Sequence, residues 1–155
     1  MITVDVPGWG SYPIRHLVLD LNGTLTLDGV FIPGVEKRIL DLSEKLDIHI
    51  LTADTFGNAS LVCQGLPVTL HTISEVDQIQ EKQKYLRGLP LKTAAIGNGR
   101  NDMGMLADAD LGIAVMGPEG TSTEALRAAD VMALSINDAL DLLKYPDRLK
   151  ATLRS

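Results

Sequence analysis

Cysteine is nearly absent from this 155-residue sequence. Cys63 stands alone, so no internal disulfide can form. A reducing, cytoplasmic setting is therefore expected. Basic residues are in the minority, 14 Lys and Arg against 20 Asp and Glu, for a net charge of −6. That balance disfavours non-specific binding to nucleic acid or to an anionic membrane. No apolar run approaches the ~18–20 residues that a membrane-spanning helix needs. The N-terminus lacks a charged stretch followed by an apolar one, so no secretory signal is expected. Internal repeats and low-complexity linkers are also missing. The length suits a single domain, residues 1–155, with a core of its own.

What is present is an alternation of strand and helix patterns. Ile2-Thr3-Val4-Asp5-Val6 alternates like a strand and stops at Pro7-Gly8. Residues 1–15 are expected to form a small β-hairpin. From His16 to residue 144 the chain reads as a core. Strands are predicted at His16–Asp20, Asp47–Thr52, Pro67–Leu70, Thr93–Ile96, Leu111–Val115 and Val131–Leu134. Helices are predicted between them, at Pro33–Lys45, Ala59–Gln64, Glu75–Arg87, Asn101–Ala107, Thr123–Ala128 and Ile136–Leu143. Val35, Ile39 and Leu42 illustrate the helical spacing. This order implies an α/β, Rossmann-like fold, a mostly parallel sheet with helices on both faces. The tail 145–155 opens at Pro146 and is read as a last short helix.

Three apolar strands end in chemistry-bearing residues. The first runs into Asp20-Leu21-Asn22-Gly23-Thr24-Leu25-Thr26, the second into Leu51-Thr52-Ala53-Asp54, the third into Gly97-Asn98-Gly99-Arg100-Asn101-Asp102. In open α/β sheets the carboxyl edge is where ligands bind. A strand-end aspartate followed by a glycine turn can attack a phosphoryl group, so Asp20 is the candidate nucleophile. An anionic nucleophile facing an anionic phosphate requires a cation, and Mg²⁺ suits carboxylate, carbonyl and water oxygens. Asp20, Asn98, Asp102 and the backbone carbonyl of Asn22 are its candidate ligands. Thr52, with the backbone around Gly23, Thr24 and Ala53, can hydrogen-bond phosphoryl oxygens. A lysine should balance the remaining charge. Lys82 is preferred over Lys84, because Leu86 and Leu89 then fall at +4 and +7 on the buried face.

These motifs resemble the haloacid dehalogenase (HAD) superfamily of aspartate-nucleophile phosphotransferases, and most of all the phosphorylation domain of P-type ATPases. The resemblance runs from about His16 to about Ala133. It implies an aspartyl-phosphate intermediate, Mg²⁺ dependence and a phosphorylated substrate. Two positions depart from the pattern. HAD phosphatases usually carry a second aspartate two residues after the nucleophile, to protonate the leaving group and activate water. Here that residue is Asn22, which cannot exchange a proton. General acid–base help is worth ~10²–10⁴-fold, so slow hydrolysis is expected. Asn98 replaces the first aspartate of the last motif and removes a charge from the metal site. The alternative expectation is a weak or inactive regulatory module of the same fold that binds phosphate or metal.

Only 31 residues separate Asp20 from Thr52, and 29 separate Thr52 from Lys82. Neither gap holds a cap domain, so the site is expected to be open. It would take a large substrate or be covered by a neighbouring copy in a homo-oligomer. Leu27 to Phe31 reads as a short β-flap, with Asp28 in an Asp-Gly turn. His16, His49 and His71 lack metal-ligand spacing and read as packing or surface residues. Cys63 reads as a small buried apolar residue, and Trp9 and Tyr12 as residues covering the core.

Overall fold

The computed structural model describes residues 1–155. The N-terminal segment forms an antiparallel hairpin of β1 (Ile2–Val6) and β2 (Gly10–Ile14). Then follow β3 (His16–Asp20), the two-residue strands β4 (Thr26–Leu27) and β5 (Val30–Phe31), and α1 (Val35–Ser43). Next come β6 (Asp47–Thr52), α2 (Ala59–Val62), β7 (Val68–Thr72) and α3 (Gln78–Arg87). After these come β8 (Thr93–Gly97), α4 (Met103–Asp108), β9 (Leu111–Val115), α5 (Thr123–Ala128) and β10 (Val131–Ala133). The chain closes with α6 (Ile136–Lys144) and α7 (Pro146–Leu153).

Six strands form one parallel sheet in the order β10-β9-β8-β3-β6-β7. Every residue of β3, β8 and β9 is buried, as a parallel sheet covered on both faces requires. Alternate residues of one strand serve opposite faces. Leu17 and Leu19 join a large apolar cluster with α1, α6, α7 and the hairpin. Val18 joins a smaller one with Leu86 of α3, Met105 and Leu106 of α4 and Ala125 of α5. Asp20 continues the Val18 face, so it ends beneath α3. The hairpin buries Ile2, Val4, Val6 and Ile14, and α7 packs against β1.

Chain order doubles back at β3. The chain leaves β3 toward β6 and β7, then returns to the other flank as β8. Such a reversal opens a crevice outside the carboxyl ends of the strands. Only the β4–β5 flap interrupts the passage from β3 to α1, and only α2 and β7 lie between β6 and α3. Several element boundaries differ from the sequence reading, most by one or two residues. β7 runs to Thr72, because Thr52 pairs with it. The helix expected from Glu75 begins at Gln78, after an irregular stretch in which the Ser74 amide bonds to the Glu81 carboxylate at 3.0 Å.

Candidate functional site

Asp20, Thr52 and the Gly97-Asn98 pair arrive at one edge because β3 pairs with both β6 and β8. The turn after β3 is tight, since the Leu21 carbonyl accepts from the amides of Leu25 and Thr26 at 2.9 and 3.0 Å. Gly23 has φ of 80° there, a conformation that L side chains rarely adopt. This turn brings Thr24 back over Asp20. The Thr24 hydroxyl lies 2.9 Å from Asp20 Oδ2 and 3.0 Å from Asn98 Oδ1. One hydroxyl proton serves one of these acceptors at a time, so an oxygen from the end of β3 and one from the loop after β8 converge on a single point.

Lys82 and Leu86 share the buried face of α3, and the Lys82 side chain is completely shielded from solvent. Its Nζ donates to Asp20 Oδ1 at 2.5 Å and to Asp102 Oδ1 at 2.7 Å. Lys84, the other candidate, is exposed. Asp102 Oδ2 accepts from the backbone N–H groups of Asn98 and Gly99 at 3.0 and 2.9 Å. Asp102 therefore ties the loop after β8 to the lysine. Asn101 Nδ2 donates to Gln78 Oε1 at 2.7 Å and fastens that loop to the start of α3.

Thr52 is oriented by its neighbours. Its Oγ1 accepts from the Asp54 N–H at 2.9 Å and from Asn22 Nδ2 at 3.4 Å. Both lone pairs are engaged, which leaves the hydroxyl proton free to donate to a ligand. Asn22 Oδ1 faces the Thr26 hydroxyl at 3.5 Å, so the amide spans from Thr52 to the flap. Ala53 is half-buried beside Thr52. Asp54 has φ of 53°, and its carboxylate accepts from the Ala59 N–H at 2.9 Å at the start of α2. At the flap tip Asp28 and Gly29 both have positive φ, 52° and 79°, the two-residue turn that suits a hairpin. Asn58 Nδ2 donates to the Gly29 carbonyl at 3.2 Å and latches the tip.

The site carries surplus negative charge. Burial, then the charge of Asp102, raise the Asp20 pKa to about 6, more than Lys82 and Thr24 lower it. Burial pulls Lys82 down, but Asp20 and Asp102 outweigh it and hold the ammonium above the ordinary lysine range. Two buried carboxylates thus share one cation. No three His, Cys, Asp or Glu side chains gather as a metal cluster. The convergent donors are instead a carboxylate oxygen of Asp20 and an amide oxygen of Asn98. This hard, mixed oxygen set fits Mg²⁺.

One residue at the site has no sequence signature. Glu119 lies in the loop after β9, and its carboxylate occupies the space that a Cβ on Gly23 would fill. Only the folded path of that loop reveals this. The histidines lie elsewhere. His16 and His49 approach to 3.1 Å, and His49 reaches the Tyr85 hydroxyl at 2.9 Å, in a packed row beneath α3. Cys63 is buried in the core, and Trp9 and Tyr12 pack against it.

No family model matches the sequence. The Methanocaldococcus jannaschii protein MJ0073, itself uncharacterized, is 52% identical over 63 residues, which are 41% of this chain and 68% of that protein. Human copper-transporting ATPase 2 is 38% identical over 118 residues, 70% of this chain. The match spans only 7% of that ATPase's length. Among solved structures, a HAD superfamily (subfamily III A) hydrolase of Legionella pneumophila superposes with a TM-score of 0.69 at 19% identity, covering 92% of this chain and 88% of its own. The 3-deoxy-D-manno-octulosonate 8-phosphate phosphatase of Moraxella catarrhalis, in complex with magnesium, phosphate and its sugar, gives 0.68 at 16% identity, with 91% and 94% covered. The sheet order and these likenesses agree: the chain has the fold of haloacid dehalogenase hydrolases, and its sequence is similar to one segment of copper-transporting ATPases.

Proposed function

We propose that this protein is a Mg²⁺-dependent phosphatase that works through an aspartyl-phosphate on Asp20. The observation that carries this reading is the buried Asp20 carboxylate, gripped on one oxygen by Lys82 and on the other by Thr24. It stands at the carboxyl edge of the sheet, beside the strand that ends in Thr52. Asp20 attacks phosphorus, the ester oxygen departs, and water then hydrolyses the acyl phosphate. Thr52, the backbone from Gly23 to Thr24, the Ala53 amide and Lys82 bind the phosphoryl oxygens. Asp20, Asn98, Asp102 and the Asn22 carbonyl hold the cation, which neutralises phosphate charge when bound. Asn22 donates no proton, so turnover is slow and favours good leaving groups. The absence of an inserted cap supports a large phosphorylated substrate, or cover from a second copy of the chain.

One observation favours a second reading, a regulatory module that binds phosphate or metal without turnover. Asn22 is bonded to Thr52 and the flap rather than free to serve a substrate. Hydrolysis of para-nitrophenyl phosphate with and without Mg²⁺, by the native chain and by Asp20→Asn, separates the two. Metal-dependent turnover that the substitution abolishes, with acid-stable trapping of phosphate on the native protein, supports the phosphatase. Equal or absent activity in both proteins supports the module.

A further inference from the structure

Glu119 has no counterpart in the motifs and no ion-pair partner, yet its carboxylate sits against the turn that follows the nucleophile. Its loop is anchored on residue 98. Asn98 Nδ2 donates to the Gly120 carbonyl at 3.0 Å, and the Ser122 N–H donates to the Asn98 carbonyl at 2.9 Å. The Gly120 N–H closes the loop on Gly117 at 2.9 Å. A Cβ on Gly117 would lie only 3.4 Å from the Gly23 carbonyl, so the loop backbone also rests on the same turn. An aspartate at 98 would lose the first of these bonds and set a carboxylate against the Gly120 carbonyl.

We propose that Glu119 supplies the negative charge that Asn98 withholds, as an outer-shell carboxylate of the Mg²⁺ site. This rests on the cation-dependent reading above and deepens it. The asparagine amide spends its nitrogen on the Gly120 tether and keeps its Oδ1 for the convergence point with Asp20. The tether in turn places Glu119 over Gly23, where the Asn98 amide nitrogen also approaches. An exposed carboxylate there keeps its hydration and accepts hydrogen bonds from the water that Mg²⁺ retains. Charge removed from the inner set returns in the outer one. Position 98 and position 119 are therefore a compensating pair.

The test measures Mn²⁺ affinity by the loss of the free-ion paramagnetic resonance signal, with Mg²⁺ in competition. Four proteins are compared: native, Glu119→Gln, the double variant Glu119→Gln/Asn98→Asp, and Asp28→Asn as an equal charge change at the flap tip. Melting in EDTA checks that each is folded. The expected result is a ~10–100-fold loss of Mn²⁺ affinity for Glu119→Gln, recovery to within a few-fold in the double variant, and little change for Asp28→Asn. Native-like affinity in Glu119→Gln overturns the proposal. So does an equal loss in Asp28→Asn, a failure of the double variant to recover, or no Mn²⁺ binding by the native chain. Mn²⁺ binding with the expected pattern but without phosphate trapped on Asp20 leaves the pairing intact and overturns the phosphatase reading alone.

Discussion

Replacing Lys82 with methionine should destabilise the protein more than any surface change. The side chain is fully buried, and its ammonium is 2.5 and 2.7 Å from two carboxylates that are themselves buried. Methionine fills a similar volume, so packing is nearly kept and the charge is isolated as the variable. Removing one partner of a buried ion pair costs about 3–5 kcal/mol, because the other charge is left uncompensated. Here two carboxylates are left, so the upper part of that range applies at neutral pH. For a domain of this size each kcal/mol moves the melting point by about 2–4 °C, so a cost of about 4–5 kcal/mol gives a fall of roughly 8–20 °C. The assay is thermal and urea unfolding at pH 7.5 in EDTA. Adding Asp20→Asn to Lys82→Met removes one of the stranded carboxylates and should recover part of the loss, a non-additive result expected of groups in contact. A Lys82→Met protein within about 1 kcal/mol of native stability, or a double variant that recovers nothing, would refute this account of the charge balance.

Asp20→Asn alone should stabilise the metal-free protein while abolishing its chemistry. The Asp20 pKa is about 6 when folded against an ordinary 3.8, so the folded state holds the proton longer than the unfolded one. Native stability then declines relative to the variant as pH rises from 4 through 6. The gap reaches about 3 kcal/mol by pH 7.5, at 1.36 kcal/mol per pH unit, and vanishes near pH 3; paired unfolding curves in EDTA read it directly. Asn22→Asp should raise the hydrolysis of poor leaving groups by at least ~10-fold and that of para-nitrophenyl phosphate by less, as steady-state rates will show. Gly97→Ala should push Asp102 aside, since a Cβ at 97 would lie 2.5 Å from its carboxylate carbon. The expected cost is about 1–3 kcal/mol in urea unfolding, with weaker phosphate trapping.

The sheet, and the meeting of Asp20, Lys82, Asn98 and Asp102 at its edge, were legible because local pattern carries them. His16–Asp20 is a continuous apolar strand ending in a carboxylate, and the structure puts that carboxylate at the sheet edge. The choice of Lys82 rests on Leu86 at +4 and Leu89 at +7; Lys82 and Leu86 are buried on α3, whereas Leu89 lies half-buried beyond its end. Other features depend on contacts between distant residues. Nothing in Gly117-Pro118-Glu119-Gly120 reveals that the loop leans over Gly23, because β9 and β3 are separated by β8 and the approach is tertiary. The row formed by His16, His49 and Tyr85 was invisible for the same reason. Three elements bring it together, and a lone histidine in a strand carries no sign of its neighbour. The start of α3 was misplaced because Glu75 and its neighbours suit a helix in composition, whereas the Ser74 amide finds its acceptor on Glu81 in an irregular turn.

The central position of β3 has a consequence for how the chain matures. Its partner β6 lies one crossover away, but β8 pairs with it from far along the sequence, His16 beside Thr93 and Leu19 beside Ile96. Pairings between such distant segments form slowly, because a long loop must close first. During synthesis the first strand end emerges early and waits, with its carboxylate uncompensated, until Lys82 and then the loop to Asp102 have followed. A chain halted after β7 has Asp20 and Thr52 but neither Lys82 nor Asp102. On the proposed phosphatase reading, phosphate can be trapped only once β8 slots in beside β3, and trapping during refolding would serve as a clock for that closing step.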